Sequence, residues 1–234
     1  MNMERKFEHS EVYFNTKDAS IIVPEIIKIV KPKSVVDVGC GIGTWLSVFK
    51  DHGVTDVLGI DGKWTEENLV YKHLERKEYL QTDLEKDIHI GRKYDLVCCL
   101  EVAEHISEKS SDIFIESLTS LGNVILFSAA IPYQTGYEHV NLQWPSYWQE
   151  KFEKKGFKML DILRYRFWDD ENIFFWYKQN MFLVVHETEL YRFEKCNETI
   201  LNIVHPEMLS IIAKPGVKKG LKMLLSELLK NIIV

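Results

Sequence analysis

Apolar residues fall along this chain in two textures. Short continuous runs at Ser34–Val38, Val54–Ile60, Tyr94–Leu100 and Asn123–Ala130 read as strands buried on both faces, with Glu78–Gln81 as a shorter one. Between them the spacing becomes helical. Ile21, Ile22, Ile26, Ile27 and Val30 recur on one face over residues 18–30, with Asp18 as the cap and Pro32 marking the end. Residues 44–50 and 110–121 carry the same period. Continuous apolar strands separated by helices predict an α/β fold, a parallel sheet covered by helices on both faces.

After Ile131 the pattern loosens. Residues 131–148 hold aromatic side chains and prolines with little period, which predicts a loop over the ligand-binding edge of the sheet. Tyr147–Lys155 then reads as a helix ended near Gly156, and Phe157–Arg166 and Asn180–His186 as a last antiparallel pair of strands. The aromatic stretch 167–177 between them is a candidate hairpin insert, pocket wall or dimer contact. Residues 187–213 give short, ambiguous signals. Residues 217–234 predict a basic amphipathic helix with Leu221, Leu224, Leu225, Leu228 and Leu229 on one side, docked on its own domain, on a partner, or peripherally on the inner face of a membrane. The division expected is a main domain over 1–186 and an extension over 187–234.

The 234 residues suffice for one full-sized core, and 46% apolar and 27% charged residues are the proportions of a globular protein. A net charge of −6 supplies no global field to draw the molecule to nucleic acid. Cys40, Cys98, Cys99 and Cys196 lack metal-like spacing, and Cys98 and Cys99 sit in an apolar run, so buried free thiols in a reducing cytoplasmic compartment are expected. No signal segment and no membrane-spanning stretch is evident.

The chemistry begins at Val35-Val36-Asp37-Val38-Gly39-Cys40-Gly41-Ile42-Gly43-Thr44, where an apolar run ends in an acid and three alternate glycines before a helical pattern. Such a turn lets a ligand touch backbone. Val57-Leu58-Gly59-Ile60-Asp61 follows as a second strand ending in an acid, and Gln81-Thr82-Asp83-Leu84 ends a third. This order of stations resembles class I S-adenosylmethionine-dependent methyltransferases over roughly residues 18–150. The resemblance implies a Rossmann-like seven-stranded sheet, S-adenosyl-L-methionine as cofactor, and a donor site of Asp37, Gly39, Cys40, Gly41, Gly43, Asp61, Asp83, Leu84 and Glu101. Within it Asp61 would hold the ribose hydroxyls and Asp83 the adenine. A nicotinamide enzyme shares the turn and the second acid, but its third glycine belongs one place later, where Thr44 stands.

Two clusters could serve the acceptor. Glu101, Glu104 and His105 stand at i, i+3 and i+4, which on a helix is one face. His139 lies in the loop after the fifth strand, on the same sheet edge. The E-x-x-E-H spacing with a later histidine is similar to that of small-RNA 2′-O-methyltransferases, which implies Mg2+ on Glu101, Glu104, His105 and His139. The plainer alternative is metal-free, with His139 or His105 as base and Glu101 lining the pocket. The segment 131–148 also resembles bacterial small-molecule methyltransferases of polysaccharide and natural-product pathways, which nominates Tyr133, Gln134, Asn141, Gln143 and Trp144 as acceptor-binding residues, with Trp148 packing in the core. The expected activity is methyl transfer to a hydroxyl of a small molecule or saccharide. A Mg2+-dependent RNA 2′-O-methyltransferase and a non-catalytic S-adenosylmethionine-binding partner protein are the alternatives.

Overall fold

The structure is a computed structural model that describes residues 15–193 and 200–213. The predicted C-terminal helix over 217–234 and Cys196 lie outside the described residues. In chain order the elements are α1 (Lys17–Val30), β1 (Ser34–Val38), α2 (Thr44–Asp51), β2 (Asp56–Asp61), α3 (Glu67–Val70), β3 (Tyr79–Gln81), β4 (Leu96–Leu100), α4 (Ser111–Leu121), β5 (Val124–Ser128), α5 (Pro145–Glu153), β6 (Phe157–Leu160), α6 (Arg164–Phe167), α7 (Phe175–Asn180) and β7 (Phe182–His186). These belong to a compact unit that runs to Ile203, and the unit beginning at Val204 contains helix α8 (Pro206–Ala213).

The seven strands form one sheet in the order β3-β2-β1-β4-β5-β7-β6. β7 pairs antiparallel with both β5 and β6, while the β1–β2, β1–β4, β2–β3 and β4–β5 pairs are parallel. This is the class I methyltransferase arrangement. Alternation along the strands divides the core. Val35, Leu96, Cys98, Val124, Leu126 and Leu183 face the side covered by α1 and α2. Val36, Val97, Cys99, Ile125, Phe127 and Val184 face the side covered by α4 and α5. Trp148 lies in this second layer, 1% exposed and edge-on to Phe127, as its place in the pattern predicts.

Two expectations need correction. The run Phe157–Arg166 is not one strand, because β6 stops at Leu160 and Arg164–Phe167 is helical. Asp161 and Arg164, both buried, form an ion pair across one turn, and Arg164 also donates to the carbonyls of Ile200 and Leu201. A buried guanidinium needs those acceptors, and meeting them turns the chain. The Glu101–His105 segment is likewise not a helix face: Glu101 takes a left-handed backbone (φ 55°), and only the single turn Ala103–His105 follows.

Candidate functional site

The sheet order reverses between β1 and β4, and open α/β sheets bind ligands in the crevice beyond the strand ends at such a point. β1 opens there into the glycine turn. Gly39 has φ 83°, and a Cβ on it would lie 2.3 Å from Val102 Cγ2, so only glycine fits where the β1 and β4 exits meet. Gly43 has φ 85° and would strike Leu74, so it allows α2 to start close against its neighbour. Asp61, at the end of β2, ties the turn down. Its two carboxylate oxygens accept from the Gly41 and Gly62 amides, each at 2.6 Å.

Two cavities meet at Gly39 and Gly41. One is a narrow recess of about 90 Å³ lined by Asp18, Asp37, Cys40, Thr44, Trp45 and an aromatic wall of Phe174, Trp176 and Tyr177. The 167–177 stretch therefore contributes a pocket wall. The other is a cleft of about 590 Å³ lined by Asp61, Trp64, Asp83, Leu84, Glu101, Val102, His105, Ile106, Tyr137, Glu138 and Val140. Asp83 stands exposed at this cleft, its carboxylate held below the usual range by the Glu85 amide and Lys86.

Burial dominates the electrostatics. The Asp37 carboxyl is pushed up to about 8, by desolvation first and by the nearby Asp61 charge second. Asp61 rises to about 6 by desolvation, against the Gly62 and Gly41 amides. A folded-state value above the unfolded one means that the native state holds the extra proton. Stability contributed at low pH is then lost as pH rises toward 8. The unliganded protein is expected to melt about 5 °C lower at pH 8.5 than at pH 6, and Asp37→Asn to remove most of that difference in a calorimetric pH series.

Beyond β4 the loop after β5 folds back onto the Ala103–His105 turn. The amides of Val140 and Asn141 both donate to the Glu104 carbonyl, at 2.9 and 3.0 Å, and this brings His139 in. Ligand atoms of Glu104, His105 and His139 all lie within 4.8 Å of one another. Each imidazole places Nδ1 on a backbone carbonyl, His139 on Gln134 at 2.9 Å and His105 on Glu138 at 3.3 Å. A carbonyl only accepts, so Nδ1 carries the proton and Nε2 keeps its lone pair. His139 Nε2 lies 4.0 Å from a Glu104 oxygen. The Glu104 side chain is 1% exposed, and neither carboxylate oxygen has a hydrogen-bond partner. Desolvation, then the Glu101 charge, raises Glu104 well above the usual carboxylate range, and burial lowers both histidines.

Glu101 is not part of that group. Its carboxylate accepts from Gln134 Nε2 at 2.8 Å and Asn180 Nδ2 at 3.1 Å, while its amide donates to the Ser128 hydroxyl and carbonyl. Of the nominated acceptor residues, Gln134 is consumed in this network and Asn141 is buried against Ser111 and Gln143. Trp144 precedes α5, and Tyr133 is 71% exposed. None of the five lines either cavity; Tyr137, Glu138 and Val140 do. Sequence reasoning missed Asn180, whose neighbours in sequence carry no motif, and Trp64, whose only signal is an aromatic three places past Asp61.

Fold and crevice together have the architecture of the class I methyltransferases. Residues 17–128 match the model of a methyltransferase domain family. A ubiquinone biosynthesis O-methyltransferase of Acinetobacter baylyi is 34% identical over 103 residues, 41% of this chain and 43% of that protein, so the chain spans less than half of this relative's length. Among solved structures, S-adenosylmethionine-bound CalS10, an amino pentose methyltransferase from Micromonospora echinaspora, superposes with a TM-score of 0.60 at 12% identity, over 80% of this chain and 100% of that one. The methyltransferase domain of bacterial CtHen1-C gives 0.53 at 21% identity, over 73% and 98%. At these identities the solved structures establish the fold.

Proposed function

We propose that this chain is an S-adenosylmethionine-dependent methyltransferase acting on a hydroxyl of a small molecule or saccharide. The observation that carries the reading is the glycine turn locked to Asp61, opening into one continuous cleft from Asp83 to His105. The Cβ-free approach at Gly39 and two acids at successive strand ends fit the donor. The methyltransferase-domain match and the small-molecule relatives support the same activity. When bound, the donor supplies an electrophilic methyl group on a sulfonium. The chain must align the acceptor oxygen opposite the carbon–sulfur bond, so that the C–O bond forms as the C–S electron pair returns to sulfur. The hydroxyl proton leaves to a neutral imidazole, and His105 lines the cleft with His139 behind it, ring centroids 4.9 Å apart.

A divalent ion is the second reading, favoured by the buried Glu104 carboxylate, which has no hydrogen-bond partner and lies within 4.8 Å of ligand atoms of His105 and His139. Held by Glu104, His105 and His139, an ion would lower the pKa of the acceptor hydroxyl. Two imidazoles and one carboxylate suit a transition metal better than Mg2+, which prefers oxygen. A phosphate-rich acceptor such as RNA finds no Lys or Arg among the described residues lining the cleft. The buried free thiols of Cys40, Cys98 and Cys99 support a cytoplasmic setting, and among the described residues no helix is long and apolar enough to cross a membrane.

The test is release of S-adenosylhomocysteine against nucleotide sugars, glycans, phenols and short RNAs, with and without EDTA. The expected result is turnover with a phosphate-free hydroxyl compound, and loss of about 100-fold in His105→Ala with donor affinity unchanged. Equal loss of both would assign His105 to packing. Chelator-sensitive turnover restored by Mn2+ or Zn2+ supports the ion, and chelator-insensitive turnover returns the proton to the imidazole alone. Donor binding with no turnover on any acceptor would favour a non-catalytic role.

A further inference from the structure

Glu101 presents a carboxylate in the wall of the cleft beside Gly39 and Gly41, and its partners are all neutral. Gln134 donates to one oxygen and Asn180 to the other. Asn180 also donates to Gln134 Oε1 at 3.0 Å, and Gln179 Nε2 donates to Asn180 Oδ1 at 2.9 Å. Gln134, Gln179 and Asn180 are each 8% exposed or less. Two buried amides from separate segments thus converge on one carboxylate, with Gln179 backing Asn180, and the glutamate itself sits on a left-handed backbone. A left-handed glutamate costs free energy that the surroundings must repay. A negative group held out of bulk water by neutral donors alone remains short of a positive partner. No Lys or Arg among the described residues lines the cleft to provide one.

We propose that Glu101, fixed by Asn180 and Gln134, is the counter-charge for the cationic centre of the methyl donor, and that this makes the site discriminate fresh donor from spent donor. The inference rests on the methyltransferase reading and deepens it. Donor and product differ at the sulfur by one methyl group and one positive charge. Glu101 is therefore offset before transfer and left uncompensated afterwards, which weakens the hold on the product. Asn180 and Gln134 are positioning residues here. They keep the carboxylate aimed at the cleft, while Asn180 closes helix α7, which also carries Trp176 and Tyr177 of the narrow recess.

The experiment is calorimetric titration of the full chain with S-adenosylmethionine, S-adenosylhomocysteine and sinefungin, in which a protonated amine replaces the sulfonium. No acceptor is needed. The wild type is expected to bind both cationic ligands about tenfold more tightly than the neutral thioether. Glu101→Gln should bring the three affinities within about twofold of one another by weakening the cationic pair alone. Asn180→Ala and Gln134→Ala keep the charge but release it. Each should shrink the discrimination at least about threefold while S-adenosylhomocysteine affinity stays within about twofold, and they decide the matter should Glu101→Gln melt early. A folded Glu101→Gln that keeps the wild-type discrimination would overturn the proposal, as would a wild type that holds product as tightly as donor. If none of the three ligands binds, the methyltransferase reading itself falls.

Discussion

Asp61→Asn is expected to weaken S-adenosylhomocysteine binding by about 100-fold, measured by calorimetric titration, with a smaller loss of thermal stability. The side chain has two tasks. It accepts the amides of Gly41 and Gly62, at 2.6 Å each, and so pins the end of β2 to the turn after β1. Its position in the cleft also suits it to accept from ribose hydroxyls. An asparagine has one acceptor oxygen where the aspartate has two, so its NH2 meets one of the glycine N–H groups donor to donor. The displaced amide costs part of the fold's stability, while losing a charge-assisted acceptor for a ribose hydroxyl, with a donor facing it instead, costs about 2–3 kcal/mol of affinity, enough by itself for most of the expected change. Asp83→Asn, at an exposed position making mostly local contacts, should cost less than about tenfold.

Gly39→Ala is expected to have the largest effect on the fold around the site. The added methyl would stand 2.3 and 2.8 Å from the two γ-carbons of Val102, on a backbone at φ 83°. Overpacking and a left-handed alanine together predict about 3 kcal/mol of destabilisation, which lowers the melting temperature by about 6–12 °C in a domain of this size. The two causes separate in a double variant. Val102→Ala removes the nearest atoms but leaves Val102 Cβ at 3.1 Å and the backbone strain untouched, so it should return only part of the lost stability. Full return would show that sterics alone require the glycine, and no return would place the requirement in the backbone.

The strand-exit side of the crevice is far more legible in the sequence than the loop side. Gly39, Asp61 and Asp83 belong to short strand-exit motifs whose geometry is local, so spacing alone brings them near their places. β1, β4 and β5 announce themselves because both faces are buried and every position is apolar. Helix α6 did not, because Arg164 and Phe167 extend an apolar–basic run and only the tertiary pairing with Asp161 and the 200–201 carbonyls reveals the turn. His139 stands in the expected loop beside Glu104 and His105, whereas Gln134 and Asn141 line neither cavity. Their polar groups point inward to Glu101 and Ser111, choices made by partners 33 and 30 residues away. Asn180, at the last turn of a short helix, bonds Glu101 across 79 residues. No local pattern encodes such a contact.

The most direct measurement is titration of the full chain with S-adenosylmethionine and, separately, with NADH. One molecule of S-adenosylmethionine bound per chain, about 100-fold more weakly in Asp61→Asn, with no heat from NADH, is the predicted result. Saturable binding of NADH, or S-adenosylmethionine binding that survives Asp61→Asn unchanged, would contradict the assignment of the crevice between β1 and β4 to a methyl donor.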